Sequence, residues 1–281
     1  MSLPLAFHLW LDKVKNTTMH HKQKARTKKR VPQEPEIYRR VSSKKGKGVT
    51  IKRSLCFYNP KQVLEALNHN REVRHWLKFI ENHYNPPTKD ILLIYPCSTE
   101  KPYHKARSYK QLYKTLSCLG DDRQRIHLVT ISEPFGLVPE EFYEKKTTWY
   151  DCPGLFEWWC NKYNQPYSKE DFNSCIDILA THIGRFFVKA KRRHSYKRIL
   201  AFVRTWSSSL EQKNDHTHNR ILRKAEAVAD VDIEFSPPKR VIKNLVKKNG
   251  RLAWDMLGVA HPTSQQYLLR RLRRVLRETA N

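Results

Sequence analysis

Apolar and polar positions along the chain fall into blocks that alternate between helical and extended spacing. The run NPKQVLEALNHNREVRHWLKFIENHY places Val73, Leu77 and Ile80 at three-to-four spacing, which predicts helix. NPPTKD stops it, because proline cannot continue a helix. ILLIY, residues 91–95, then reads as a buried strand. Residues 104–119 predict a second helix and RIHLVTIS, residues 125–132, a second strand. EPFGLVPEEFY (133–143) reads as a loop leading into a short helical turn, and TTWYDCPG (147–154) as an aromatic loop.

Residues 168–191 open with a Ser-x-x-Asp cap and carry apolar positions at helical spacing, predicting a long helix. RILAFVRT (198–205) predicts a third strand. The last forty residues include QQYLLRRLRRVLRE, a basic amphipathic helix whose Leu268, Leu272 and Val275 row is expected to dock on protein. Alternating strands and helices predict an α/β core. The expected organisation is a basic arm over 1–54, a core over 55–215 and a basic helical extension over 216–281.

Charge sharpens this division. The 281 residues carry 54 Lys and Arg against 27 Asp and Glu, a net +27. Residues 1–60 hold fifteen basic residues and three acids, and residues 239–281 hold eleven and two, while the middle is nearly balanced. A balanced core between basic ends is the pattern of a folded unit that grips a polyanion with its flanks. The phosphate-binding candidates are Lys28, Lys29, Arg30, Lys44 and Lys45 in the arm, Arg192 and Arg193 after the long helix, and Arg270, Arg271, Arg273 and Arg274 in the last helix.

No apolar run approaches the roughly 20 residues of a spanning helix. The opening MSLPLAFHLWLDK has no basic leader and no small-residue cleavage site, so neither a signal peptide nor a membrane partner is expected, and the expected location is cytoplasmic. Six cysteines without a Cys-x-x-Cys pair predict reduced thiols. His216 and His218 form a close pair of potential ligands, but no clustered Cys and His set surrounds them in sequence, and no metal is expected. Walker and dinucleotide glycine motifs are missing, and no cofactor is expected.

Chemistry-bearing residues gather where the two central strands end. The first breaks into PCSTEKPY and the second into SEPFGLVPEE. Ligand sites of open α/β sheets form beyond the carboxyl ends of strands. If the strands are neighbours, Cys97, Ser98, Glu100, Lys101 and Tyr103 face Ser132 and Glu133 across one crevice, with Tyr150 and Asp151 closing it. Taken singly, each has an ordinary reading: a small buried thiol, a solvated ammonium, a turn carboxylate. Their clustering is what points to a site.

HNREVRHWLKFIENHYNPPTKDILLIYPCSTEKPYHKARSYK resembles the core domain of archaeosine synthase, in which Pro-Cys-Ser-x-x-Lys-Pro-Tyr follows a strand. TISEPFGLVPEEFYEKKTTWYDCPG resembles the second segment of that family, Ser-x-x-Leu-Gly-x-Val-Pro followed by Tyr-Asp-x-Pro. The archaeal signature continues Ser-x-Ser-x-Ser-His, where this chain has His104-Lys-Ala-Arg-Ser108-Tyr109. More remotely, the strand ends resemble those of YaaA-like proteins. The resemblance implies a single mixed-sheet YaaA-like core with helices on both faces. It also implies nucleophilic addition to the nitrile of 7-cyano-7-deazaguanine.

The leading expectation is hydration of that nitrile in DNA to the carboxamide, alongside partner proteins of a DNA modification system. The alternatives are transfer of an amine such as lysine to the same nitrile in tRNA, and a non-catalytic nucleic-acid-binding protein. For catalysis, either Cys97 attacks to give a thioimidate, or Glu133 or Asp151 activates water. Lys101 polarises the nitrile nitrogen, and Ser98, Ser132 and Tyr103 supply hydrogen bonds. Phe135, Trp149 and Tyr150 are the candidates for stacking on a flipped base.

Overall fold

The computed structural model describes residues 49–207 and 216–280. Two helices, α1 (Pro60–His69) and α2 (Arg71–Lys78), fill the first predicted helical run. Asn70 divides them: its backbone is extended, and its side chain accepts from the amides of Glu72 and Val73, capping the second helix instead of continuing the first. Strand β1 (Lys89–Pro96) follows, then α3 (Arg107–Ser117), β2 (Ile126–Ser132) and β3 (Gly136–Pro139). A short helix α4 (Glu157–Lys162) precedes the 24-residue α5 (Lys169–Arg192), which is capped as predicted by Ser168 accepting from the Asp171 amide at 3.1 Å. The remainder is β4 (Tyr196–Phe202), α6 (Thr217–Ala229), β5 (Ile233–Ser236), α7 (Lys239–Asn249), α8 (Arg251–Leu257) and α9 (Pro262–Glu278).

The five strands form one mixed sheet in the order β3-β2-β1-β4-β5. β2, β1, β4 and β5 run parallel, and β3 is an antiparallel edge. Every residue of β1 from Ile91 to Tyr95 is fully buried. Successive side chains point to opposite faces, so both faces must be covered. Helices α5, α6 and α1 pack together, as do α9, α3 and α7, and the fold is the expected α/β class.

Two expected boundaries shift. Ile51 is buried in the core and Val49 packs against it, so the described end of the 1–54 segment is part of the packed body. The 216–281 segment is no appendage either. It supplies β5 to the sheet, and Ile242, Leu245, Trp254, Leu268 and Leu272 to the same core. Four residues of β5 were too short an apolar run to stand out, yet hydrogen-bonding to β4 covers an edge that would otherwise be exposed. Leu268, Leu272 and Val275 dock inward as their spacing predicted. Among the described residues no helix is long and apolar enough to cross a membrane, and all six cysteines are free thiols.

Candidate active site

β1 and β2 are parallel neighbours, with Pro96 opposite Ile131, and the Cys97 amide donates to the Ile131 carbonyl at 3.0 Å. Their carboxyl ends therefore deliver Cys97 and Glu133 to one place. A third group joins them from the start of α6: His218 Nε2 lies 3.1 Å from Glu133 Oε2 and 3.8 Å from Cys97 Sγ, which is itself 4.0 Å from the same carboxylate oxygen. All three line a cleft of about 380 Å³.

Glu133 and His218 are buried, at 2 % and 5 % exposure. Burial pulls the imidazolium down, but the Glu133 carboxylate overrides it and raises His218 to about 10. Burial likewise lifts the Glu133 carboxyl, and the His218 charge more than reverses this and holds it below its ordinary value. The two form a buried ion pair at neutral pH. His216 points the other way: burial and the His218 charge push it to about 3, so it is neutral.

The remaining residues foreseen at the strand ends do not line the cleft. Lys101 is buried behind it, 2 % exposed, donating to the Ser98 carbonyl and lying 4.1 Å from the Tyr150 ring centre and 4.7 Å from that of Tyr103. Asp151 is fully buried, accepts from the Tyr58 hydroxyl at 3.0 Å and is held by backbone bonds to residues 55 and 57. Ser132, Tyr150 and Tyr103 form a buried hydroxyl chain, with Ser132 Oγ to Tyr150 at 2.5 Å and Tyr103 donating to Tyr150 at 3.1 Å. Ser98 Oγ accepts from the Glu100 amide and fixes the loop.

The proposed stacking rings are also redirected. Phe135 and Tyr150 are core residues, and the Trp149 indole donates to the Tyr143 carbonyl at 2.8 Å. The cleft is lined instead by Tyr95, which is buried, and by Phe156 and Trp158, stacked with centres 5.8 Å apart, of which Trp158 is 61 % exposed. Arg204 adds a guanidinium that donates to the Asp255 carbonyl at 2.6 Å. A side chain at Gly258 would come within 2.9 Å of its Nε, so glycine there keeps room for it.

Of the expected phosphate contacts, Arg192, Arg193, Arg270, Arg273 and Arg274 are exposed. Arg271 is not available: both arms of its guanidinium bond to Glu234, at 2.6 and 2.5 Å. Arg274 is partly neutralised by Glu278 at 2.8 Å. Lys28, Lys29, Arg30, Lys44 and Lys45 lie outside the described residues.

Lys101 carries a stability cost. Burial pulls its ammonium down to about 8, although the charges of Cys97, Asp151 and their neighbours resist. Between about 8 and its unfolded value near 10.4 the unfolded chain binds more protons, so the fold gains stability as pH rises through that window. Lys101→Met keeps the length and removes the charge. It should raise the unfolding free energy at pH 7 by about 1–3 kcal/mol in urea titrations. A fall instead would mean that the ring and carbonyl contacts outweigh desolvation.

A thiol and a carboxylate at the ends of neighbouring parallel strands thus meet an imidazole from the start of α6 beside a cleft lined by Trp158 and Arg204. Residues 73–232 match the family described as a domain of unknown function, DUF5591, and the chain belongs to that family. Archaeosine synthase subunit alpha of Thermoplasma acidophilum is 25% identical over 199 residues, covering 69% of this chain and 35% of the relative. The subunit of the same name from Thermococcus kodakarensis is 33% identical over 126 residues, 44% of this chain and 20% of the relative. That of Methanosarcina acetivorans is 39% identical over 77 residues, 27% and 12% of the two chains. The chain thus spans about a third or less of these relatives' length.

Proposed function

We propose that the protein modifies a base in nucleic acid by adding an amine, of the lysine type, to the nitrile of 7-cyano-7-deazaguanine in tRNA. The observation that carries this is the Cys97 thiol set beside the buried Glu133–His218 pair at the edge of the cleft. Kinship with archaeosine synthase subunits supports amine transfer to tRNA over hydration in DNA.

A nitrile carbon needs a strong nucleophile and a proton for its nitrogen. Cys97 Sγ bonds to the carbon while Glu133 takes the thiol proton and His218 gives its Nε2 proton to the nitrogen, leaving a thioimidate. The amine then adds to the same carbon, its proton returns through the Glu133–His218 pair, and the carbon–sulfur bond breaks to give an amidine and free thiol. Water in place of the amine gives the carboxamide. Trp158 and Phe156 stack on the extruded base, and Arg204 meets an anionic group of the substrate.

Nucleoside mass spectrometry tests this directly, with tRNA bearing the nitrile base plus lysine, and separately with DNA bearing it. A lysine adduct on the tRNA base is expected. A gain of one water on DNA alone would replace this reading with the hydratase one, and no change in either would remove it.

The exposed outer face of α9 grips phosphate in this reading. Replacing Arg270, Arg273 and Arg277 with Gln should flatten the slope of log affinity against log salt by about 2–3 in anisotropy titrations, close to one unit for each phosphate no longer neutralised. An unchanged slope would move the interface elsewhere.

A further inference from the structure

Cys97, Glu133 and His218 point three different ligand atoms at one spot. In a nucleophile–base–carboxylate relay, the nucleophile and the carboxylate occupy opposite nitrogens of the imidazole. Here both face Nε2, at 3.8 Å for the sulfur and 3.1 Å for the carboxylate oxygen. Convergence of this kind is how side chains surround a cation.

The dimensions agree. Zinc bonds of about 2.3 Å to sulfur and about 2.0–2.1 Å to nitrogen and oxygen, at tetrahedral angles, put the donor atoms about 3.3–3.6 Å apart. The three separations of 3.8, 3.1 and 4.0 Å reach that geometry with shifts of no more than about half an ångström. A thiolate and a carboxylate also balance a divalent charge in a site whose Glu133 and His218 are buried. Sulfur and imidazole select a thiophilic ion over magnesium or calcium, which prefer oxygen. Because all three residues line the cleft, a fourth position opens into it.

We propose that Cys97 Sγ, a Glu133 carboxylate oxygen and His218 Nε2 bind one zinc-class divalent cation, with a water or cleft ligand as the fourth donor. Binding releases the thiol proton and the imidazolium proton and involves no electron transfer. The ion occupies the lone pairs that addition to the nitrile requires, so the metal-bound protein is silent in the reaction. Only this last consequence rests on the function proposed above.

The test is titration of the metal-free full chain with cobalt(II), which reports ligands by absorption. One equivalent should bind, with tetrahedral visible bands and a sulfur-to-cobalt charge-transfer band, and zinc should displace it. Cys97→Ser, nearly isosteric, should lose the charge-transfer band. Glu133→Gln and His218→Asn should weaken binding by more than about 100-fold, beyond the loss caused by disturbing an outer-shell partner. Circular dichroism checks their folding, and if either fails to fold the Cys97→Ser spectrum decides. Absence of one-to-one binding, or bands unchanged in Cys97→Ser, overturns the site. Cobalt binding without base modification by the metal-free protein would sink the functional reading alone. Turnover without a cobalt spectrum would sink the metal site alone. Full turnover by zinc-loaded protein would overturn the silencing.

Discussion

Cys97→Ala should cut single-turnover modification of the nitrile base by at least ~10³-fold, the scale of loss when one member of a nucleophile–base unit is removed. The effect is confined to chemistry. Cys97 holds the strand end through its backbone amide, bonded to the Ile131 carbonyl, and that bond survives the substitution. The sulfur is half-buried at the edge of the cleft, so its loss leaves only a small void. In the proposed reading the phosphate contacts lie away from this position, so affinity for tRNA should stay within about twofold. Trapping reinforces the assignment: the wild type quenched with acid early in a reaction without amine, before water opens the thioimidate, should yield a protein–base adduct through sulfur, and the variant none. Retention of most activity in Cys97→Ala would transfer the first step to water activated by Glu133. Loss of binding together with activity would place Cys97 in recognition instead.

The parts of the site that could be read from the sequence are those where a local pattern fixes a local position. The ILLIY run and the RIHLVTIS run had to be buried strands, and as parallel neighbours they had to bring Cys97 and Glu133 to one end of the sheet. Helix α5 was marked by its cap and its spacing. His218 was out of reach by the same logic. It stands 85 residues from Glu133 and 121 from Cys97, and its only local mark was the pairing with His216. Arg204 likewise gains meaning only when β4 ends beside the cleft. The aromatics misled because a ring's type does not say which way it faces. Phe135 and Tyr150 pack in the core and Trp149 is tied to the Tyr143 carbonyl, while Trp158, four residues beyond the aromatic loop, stands in solvent at the cleft. Strand β3 was hidden by its length, four residues within a stretch dense in proline and glycine.

Glu133→Gln should destabilise the fold by about 3–5 kcal/mol near pH 5.5, the range for removing one partner of a buried ion pair. The amide keeps the size of the carboxylate, so packing changes little and the loss reports electrostatics. The pH dependence follows from the two shifts. His218 is raised to about 10 when folded, so its contribution is complete below its unfolded value near 6.5 and is lost as pH rises through the folded value. Glu133 is held below its ordinary value, so its contribution is complete above about 4.5 and is lost as pH falls through the lowered one. The gap between wild type and variant is therefore widest between about pH 4.5 and 6.5 and narrows toward pH 10. In the variant, burial acts on His218 without its counter-ion, and the imidazole should titrate below its ordinary value. Urea denaturation across pH 5 to 10 measures the gap, and the His218 ring resonances measure the titration. A gap that does not vary with pH would mean that the pair is a neutral hydrogen bond, and the proton delivered to the nitrile nitrogen would have to come from another group.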